Sequence, residues 1–204
     1  VVTAFGEFTD PAAVDINLIV TGPAVSTVSA YAIDNIALTR KDCMVFLSPL
    51  RAAVVNNEGS ETSSIIATTD LNAYTRSSYA VYDSGWKYMY DKYNDRYVYI
   101  PLNGDVAGTC VVTDKSDDPW FSPGGLNRGQ IKNAIKLAWS PNKAQRDTLY
   151  TKGVNPVIST PGSGIVLFGD KTMLDSPSAF NRINVRRLFI VLEKAIATAA
   201  KFQL

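Results

Sequence analysis

Between Val14 and Leu47 the chain spells out strand, helix and strand within about 35 residues, and no other stretch constrains the fold as much. Val14-Asp15-Ile16-Asn17-Leu18-Ile19-Val20 alternates and then turns solidly apolar, as a strand does on entering a core. Thr21-Gly22-Pro23 follows, with proline suited to a first helical position. Val25, Val28, Ala32 and Ile36 then recur at helical spacing up to Arg40 and Lys41. Cys43 to Leu47 is a second apolar run, stopped by Ser48-Pro49. Two strands joined through a helix are expected to lie parallel, with a right-handed crossover.

Further along, a short helix is predicted from about Ser63 to Asn72, and a strand over Tyr79-Ala80-Val81-Tyr82. Trp86 to Tyr90 and Tyr97 to Ile100 alternate on either side of the polar run Asp91 to Arg96, which predicts a β-hairpin. Its tyrosines fit a sheet surface better than a base-stacking platform, because tyrosine has high strand propensity. A helix is expected from Asn103 to about Thr113 with Asn103 as its cap, and another over Lys143 to Lys152 capped by Asn142 and stopped by Gly153. Val157 to Ser159 and Ile165 to Phe168 flank Pro161-Gly162-Ser163-Gly164, a second hairpin signal. A long helix capped by Asn184 should follow, with Val185, Leu188, Phe189, Leu192, Ile196 and Ala199 as its apolar stripe. The expected class is α/β: a mixed, mostly parallel sheet with flanking helices, then an incomplete α+β part with a hairpin and a long helix. The charged, then Pro/Gly-rich loop from Asp114 to Gly125 sets an expected boundary between a domain over 1–120 and another over 121–204.

Composition removes several chemistries. Histidine is absent, so Ser-His-Asp and Cys-His catalysis and imidazole metal sites are excluded. The net charge of +1 gives no general pull toward nucleic acid or membrane. Cys43 and Cys110 each sit in an apolar run and read as buried thiols. Gly162-Ser163-Gly164 lacks the flanking pattern of a nucleophile elbow. Gly169-Asp170-Lys171-Thr172 has aspartate where a phosphate loop needs glycine. Asp114, Asp117 and Asp118 lack a calcium loop's closing glutamate. Paired carboxylates can work without histidine, and Asp15, Asp70, Asp83, Asp105 and Asp170 are candidate members. No cofactor and no metal is expected. The start at Val1 rather than methionine, and the final Lys201-Phe202-Gln203-Leu204, suggest a processed or truncated chain.

Five spaced blocks stand in order: Pro119 to Gln130, Asp147 to Tyr150, Gly153 to Val157, Gly164 to Thr172, and Phe180 to Leu188. With Tyr90 to Asp95 upstream, this series resembles the tail sheath proteins of contractile-tailed bacteriophages, and most of all those of T-even-type phages, from about Val14 onward. The resemblance implies a non-enzymatic subunit of a tube of stacked hexameric rings, which surrounds the tail tube and contracts to drive it through the bacterial envelope. It implies neighbouring sheath subunits, the tail tube protein, and baseplate and tail terminator components as partners, with no nucleic acid and no direct membrane binding. The place implied is the virion tail, assembled in the host cytoplasm. Measured against the family, the N-terminal part, the outer domains and both terminal arms are missing, and 121–204 corresponds to the start of the tube-proximal domain. Sheaths of type VI secretion or pyocin-like machines are the first alternative; a carboxylate-based α/β enzyme or a nucleotide-binding module is the second.

Two sets of residues are candidates for contact. Arg182, Arg186 and Arg187, with Lys171, form a basic group that could meet acidic groups on the tube or a neighbouring subunit, or pair internally with Asp170 or Asp175. Val157, Ile158, Ile165, Val166 and Leu167, with Phe202 and Leu204, are candidate strand-addition segments.

Overall fold

The computed structural model describes residues 1–67 and 71–201. A short helix α1 (Val2–Gly6) buries none of its residues. Strand β1 (Leu18–Val20) leads into α2 (Ser26–Tyr31), a π-helical turn (Ala32–Ala37) and α3 (Leu38–Arg40), which returns the chain to β2 (Met44–Leu47). The expected single helix is thus interrupted. The π turn buries Ala32, Ile33, Ile36 and Ala37 completely, re-aiming the helix so that these four share one inward face. Lys41 ends it in the left-handed conformation, with φ 61°.

α4 (Arg51–Val54) and α5 (Glu61–Ile65) follow, then β3 (Ala80–Asp83). The helix expected from Ser63 to Asn72 is replaced by the earlier α5 and a 3-10 turn over Leu71–Ala73. Strand β8 (Val154–Asn155) comes much later but completes a four-stranded sheet in the order β1-β2-β3-β8, with every pair parallel. All four residues of β2 and of β3 are buried, as in strands covered on both faces. The expected crossover unit and parallel sheet are therefore present.

The first hairpin also forms as read. β4 (Trp86–Asp91) pairs antiparallel with β5 (Arg96–Pro101), placing Tyr88 opposite Tyr99 and Tyr90 opposite Tyr97 on one face. Their rings touch at centroid distances of 4.7 and 5.2 Å, the packing of a tyrosine-rich sheet surface. α6 (Asn103–Ser116) packs on β1, β2 and β3 through Val106, Ala107, Cys110 and neighbours. Its N-cap is Leu102; the Asn103 side chain instead donates to the Gly22 carbonyl at 2.8 Å, tying the helix to the end of β1.

β6 (Gln130–Ile131) and β7 (Lys136–Leu137) are short. α7 (Lys143–Thr151) begins with the expected Asn142 cap, elaborated into a capping box with Gln145, and Gly153 follows at φ 81°. β9 (Val157–Thr160) and β10 (Gly164–Leu167) form the second hairpin, and the sheet order is β6-β10-β9. The helix α8 (Ile183–Lys201) has Asn184 inside its first turn, with its amide donating to the Trp120 carbonyl, so Asn184 does not act as the cap.

The chain crosses the boundary expected at 120/121 and returns: β8 lies beside β3, and Met173, Ile183 and Ile190 join the core that contains Val45 and Phe46. α8 passes beneath the amino ends of the parallel strands. Arg186 reaches Ser78 and Tyr79 before β3, and Lys194 reaches Asp42 before β2 and Asn17 before β1.

Candidate functional site

All five spaced blocks meet at one junction beside the end of β8. Asn155 ends that strand fully buried, and its side chain forms two 2.7 Å hydrogen bonds with the backbone of Lys171, one donated and one accepted. Lys171 and Arg182 form a lone antiparallel bridge, and the Ile183 N–H donates to the Asp170 carbonyl at 2.8 Å. This pins the start of α8 against the loop after β10. Asp170 is the hub: it accepts from Ser122 Oγ at 3.0 Å and from the Tyr150 hydroxyl, and it ion-pairs with Arg182. Lys171 donates to the Tyr150 carbonyl at 2.9 Å and stands 4.1 Å from that ring's centroid.

The glycines of these blocks are explained by backbone approach. A Cβ on Gly129 would lie 2.6 Å from the Leu167 carbonyl oxygen, and one on Gly124 would lie 2.8 Å from that of Gly169. Gly125 holds φ 92°, and its N–H donates to Leu167. The glycine-rich loop therefore lies directly on β10.

The charges of the junction shift one another. Hydrogen bonding to Asp170 raises the Arg182 pKa, while burial and then the Arg182 charge lower that of Lys171. Burial raises the Tyr150 hydroxyl, and the Asp170 charge adds to this. The junction locks three loops and leaves two cations at the surface, Arg182 exposed and Lys171 half-buried.

The other predicted basic residues lie elsewhere. Arg186 is 8% exposed, with its guanidinium 3.8 Å from the Phe180 ring centroid and 4.3 Å from that of Tyr79. Arg187, also buried, ion-pairs with Asp114 of α6. Burial withdraws both from the surface of this chain, so of the expected basic group only Arg182 and Lys171 remain near it. The internal partner of Arg182 is Asp170, one of the two carboxylates anticipated; Asp175 instead lies 3.7 Å from Arg76.

The candidate strand-addition segments lie in the second hairpin. Ile165, Val166 and Leu167 belong to β10, the central strand of its sheet, paired with β9 through all three; β6 takes Ile165 and Val166 on the other side, where Leu167 is bonded to Gly125 and Gly129. Val157 and Ile158 lie on the edge strand β9, but its Val157 and Ser159 N–H groups donate to the hydroxyls of Ser84 and Ser140. Side-chain hydroxyls thus blunt this edge. Phe202 and Leu204 lie outside the described residues.

The candidate carboxylates are scattered. Asp15 pairs with Lys194, Asp105 with Lys87, Asp170 with Arg182, and Asp83 accepts from Ser48 at 2.6 Å and from the Gly85 N–H. Asp70 lies outside the described residues. Ligands of α/β sheets bind at the carboxyl ends of the strands. Here that edge is filled by Ser48, Asp83 and Asn103 bonded to one another and to the Gly22 carbonyl. Among the described residues there is no cluster of three or more metal-ligating side chains, and no helix is long and apolar enough to cross a membrane. Both cysteines are free and buried, each with its pKa pushed up to about 12 chiefly by burial.

Residues 12–173 match the model of the phage tail sheath protein central domain. The chain belongs to this family. It is 45% identical to the tail sheath protein of Vibrio phage KVP40, covering 96% of this chain and 32% of the relative. It is 42% identical to that of Enterobacteria phage T4, covering 98% and 33%. The chain thus spans about a third of the length of these tail sheath relatives. Among solved structures, a chain of the contracted baseplate of the anti-feeding prophage superposes with TM-score 0.72 at 18% identity, covering 95% of this chain and 51% of that one. A chain of the contracted helical sheath of the same particle gives 0.63 at 16% identity, covering 88% and 44%. These likenesses extend the fold of this sheath segment to other contractile particles.

Sequence reasoning passed over Tyr150, Ser122 and Asn155 as structural links, although each lies in a block quoted for the resemblance. Their signal was the spacing of the blocks, which the fold turns into contact.

Proposed function

We propose that this segment is part of a subunit of a contractile phage tail sheath, which stacks in hexameric rings around the tail tube and contracts to drive the tube through the bacterial envelope. The observation that carries this reading is the family match across residues 12–173, with tail sheath relatives at 42–45% identity. It fits a subunit whose work is done by contacts between copies, with no catalytic role. Stored free energy then resides in how rigid subunits meet, and contraction is their rearrangement as bodies. Partners on this reading are neighbouring sheath subunits, the tail tube, and baseplate and terminator components, in a virion assembled in the host cytoplasm. Residues from 121 onward would lie nearer the tube, with Arg182 and Lys171 as the candidate cationic contact.

The test is negative-stain microscopy of the full-length subunit. Tubular polymers are expected; persistent monomers with a measurable turnover would refute the reading. Charge reversal in Arg182→Glu should shorten or abolish sheaths assembled around tubes, and unchanged length and contraction would remove Arg182 from the interface. A role in a related injection machine is a weaker reading, because the anti-feeding prophage chains share only 16–18% identity where the phage relatives share more than twice that.

A further inference from the structure

The β4–β5 hairpin stands at the edge of its sheet, in the order β5-β4-β7, and carries a row of tyrosine rings on one face. The carbonyls of Trp86 and Tyr88 turn toward β7, accepting from the N–H groups of Ala138 and Ile135. Tyr88–Tyr99 and Tyr90–Tyr97 are therefore non-hydrogen-bonded pairs of the β4–β5 ladder, the positions where opposed side chains stand closest. The rings touch in sequence: Tyr90 lies 5.2 Å from Tyr97, Tyr97 5.6 Å from Tyr88, and Tyr88 4.7 Å from Tyr99, centroid to centroid. The row runs from half-buried Tyr88 and Tyr99 out to Tyr90 and Tyr97, which are 43% and 56% exposed.

Sheet packing accounts for a row of rings, but not for the carboxylate at its outer end. The Tyr90 hydroxyl donates to Asp95 Oδ1 at 2.6 Å. The turn sets Asp95 there: its φ is 47°, and Asp91 ties the turn by accepting from the N–H groups of Tyr93 and Asn94 and from the Asn94 amide. The bond to Asp95 raises the Tyr90 pKa, so the phenol keeps its proton at neutral pH beside a carboxylate placed to take it. A phenol yields an electron readily when its proton can leave at the same time, and a positioned acceptor speeds that transfer. Among the described residues, Tyr90 is the one ring of the row whose hydroxyl has such an acceptor.

We propose that Tyr90 and Tyr97 are an oxidative cross-linking site, converted to dityrosine by a one-electron oxidant of the peroxidase and hydrogen peroxide class, which staples β4 to β5. Each phenol loses one electron to the oxidant and one proton, that of Tyr90 to Asp95 and that of Tyr97 to water. The two phenoxyl radicals then join through a bond between ring carbons ortho to oxygen. The hydrogens on those carbons shift to the oxygens and restore both phenols. Two electrons and two protons leave in all, and hydrogen peroxide takes them up as two waters. The inference is independent of the sheath reading.

Peptide mapping tests it on the full-length subunit, dilute and monomeric, treated with a haem peroxidase and hydrogen peroxide. Trypsin cuts after Lys92 and Arg96, so Tyr90 and Tyr97 leave in separate peptides unless they are joined. The expected product is those two peptides linked, lighter by two hydrogen atoms, from a subunit that still runs as a monomer. Tyr90→Phe and Tyr97→Phe keep the ring packing, and each should abolish the product. The same two peptides carry Tyr88 and Tyr99, so the double variant Tyr88→Phe/Tyr99→Phe should leave the product in place. Asp95→Asn, in which asparagine suits the left-handed turn, should slow its formation by at least about tenfold. Tyr93 supplies the contrast, being 86% exposed and outside the row of touching rings. Oxidised Tyr93 with the Tyr90 and Tyr97 peptides unjoined would overturn the proposal, because exposure alone would then choose the site. A linked product that survives Tyr97→Phe, or one that forms as fast in Asp95→Asn, would overturn it as well.

Discussion

At the scale of single residues, burial and close approach determine what substitutions do. Arg186 has two aromatic rings and two hydroxyls as partners in place of a carboxylate, and burial lowers its pKa. Arg186→Ala removes the ring contacts and leaves a cavity, so urea denaturation should show a loss of about 2–4 kcal/mol. Arg186→Lys should recover only part of this, since an ammonium lacks the flat face that stacks between rings. The glycines offer a contrast within one protein. Gly129→Ala drives a Cβ into backbone and should cost at least about 2 kcal/mol. Gly108→Ala meets nothing within 4 Å inside α6 and should stabilise by about 0.5–1 kcal/mol. Cys43 and Cys110 should both resist a thiol reagent at about pH 8 in the native state and both react in denaturant, because their thiolates form only near pH 12 while buried.

At the scale of elements, the segment before β1 is held by a few charges. The buried Arg40 guanidinium donates to Asp42 at 2.8 and 2.9 Å and to the carbonyls of Phe8 and Val14 at 2.7 and 2.8 Å. Burial alone would raise the Asp42 pKa, but the hydrogen bonds and charge of Arg40 outweigh it, and the net shift is downward. A carboxylate lowered on folding adds stability above its ordinary value near 3.8 and loses it as pH falls through the lower folded value. Asp42→Asn should therefore flatten the acid limb of melting temperature against pH below about pH 4. It should also speed amide exchange over residues 8–17 and leave the Asn142–Gln145 capping box of α7 unaffected.

At the scale of the whole molecule, the order of exchange should follow burial in the parallel sheet: β2 and β3 slowest, then β1 and β8 at its edges, with α1 fastest, read by native-state exchange. The sequence by itself determined the crossover unit, both hairpins and the Asn142 cap, because each is specified by periodicity or turn chemistry within a few residues. It also determined the family, since ordered blocks survive without knowledge of their contacts. It showed that α8 has two unlike faces, but only the tertiary structure decided which one turns inward. Tyr79 and Asp114, 107 and 73 residues away from their arginines, supply the ring and the carboxylate that let Arg186 and Arg187 be buried. With that face satisfied, Leu192 and Ile196 are left outside. Periodicity records the contrast between faces, whereas burial depends on partners that only the folded chain brings together.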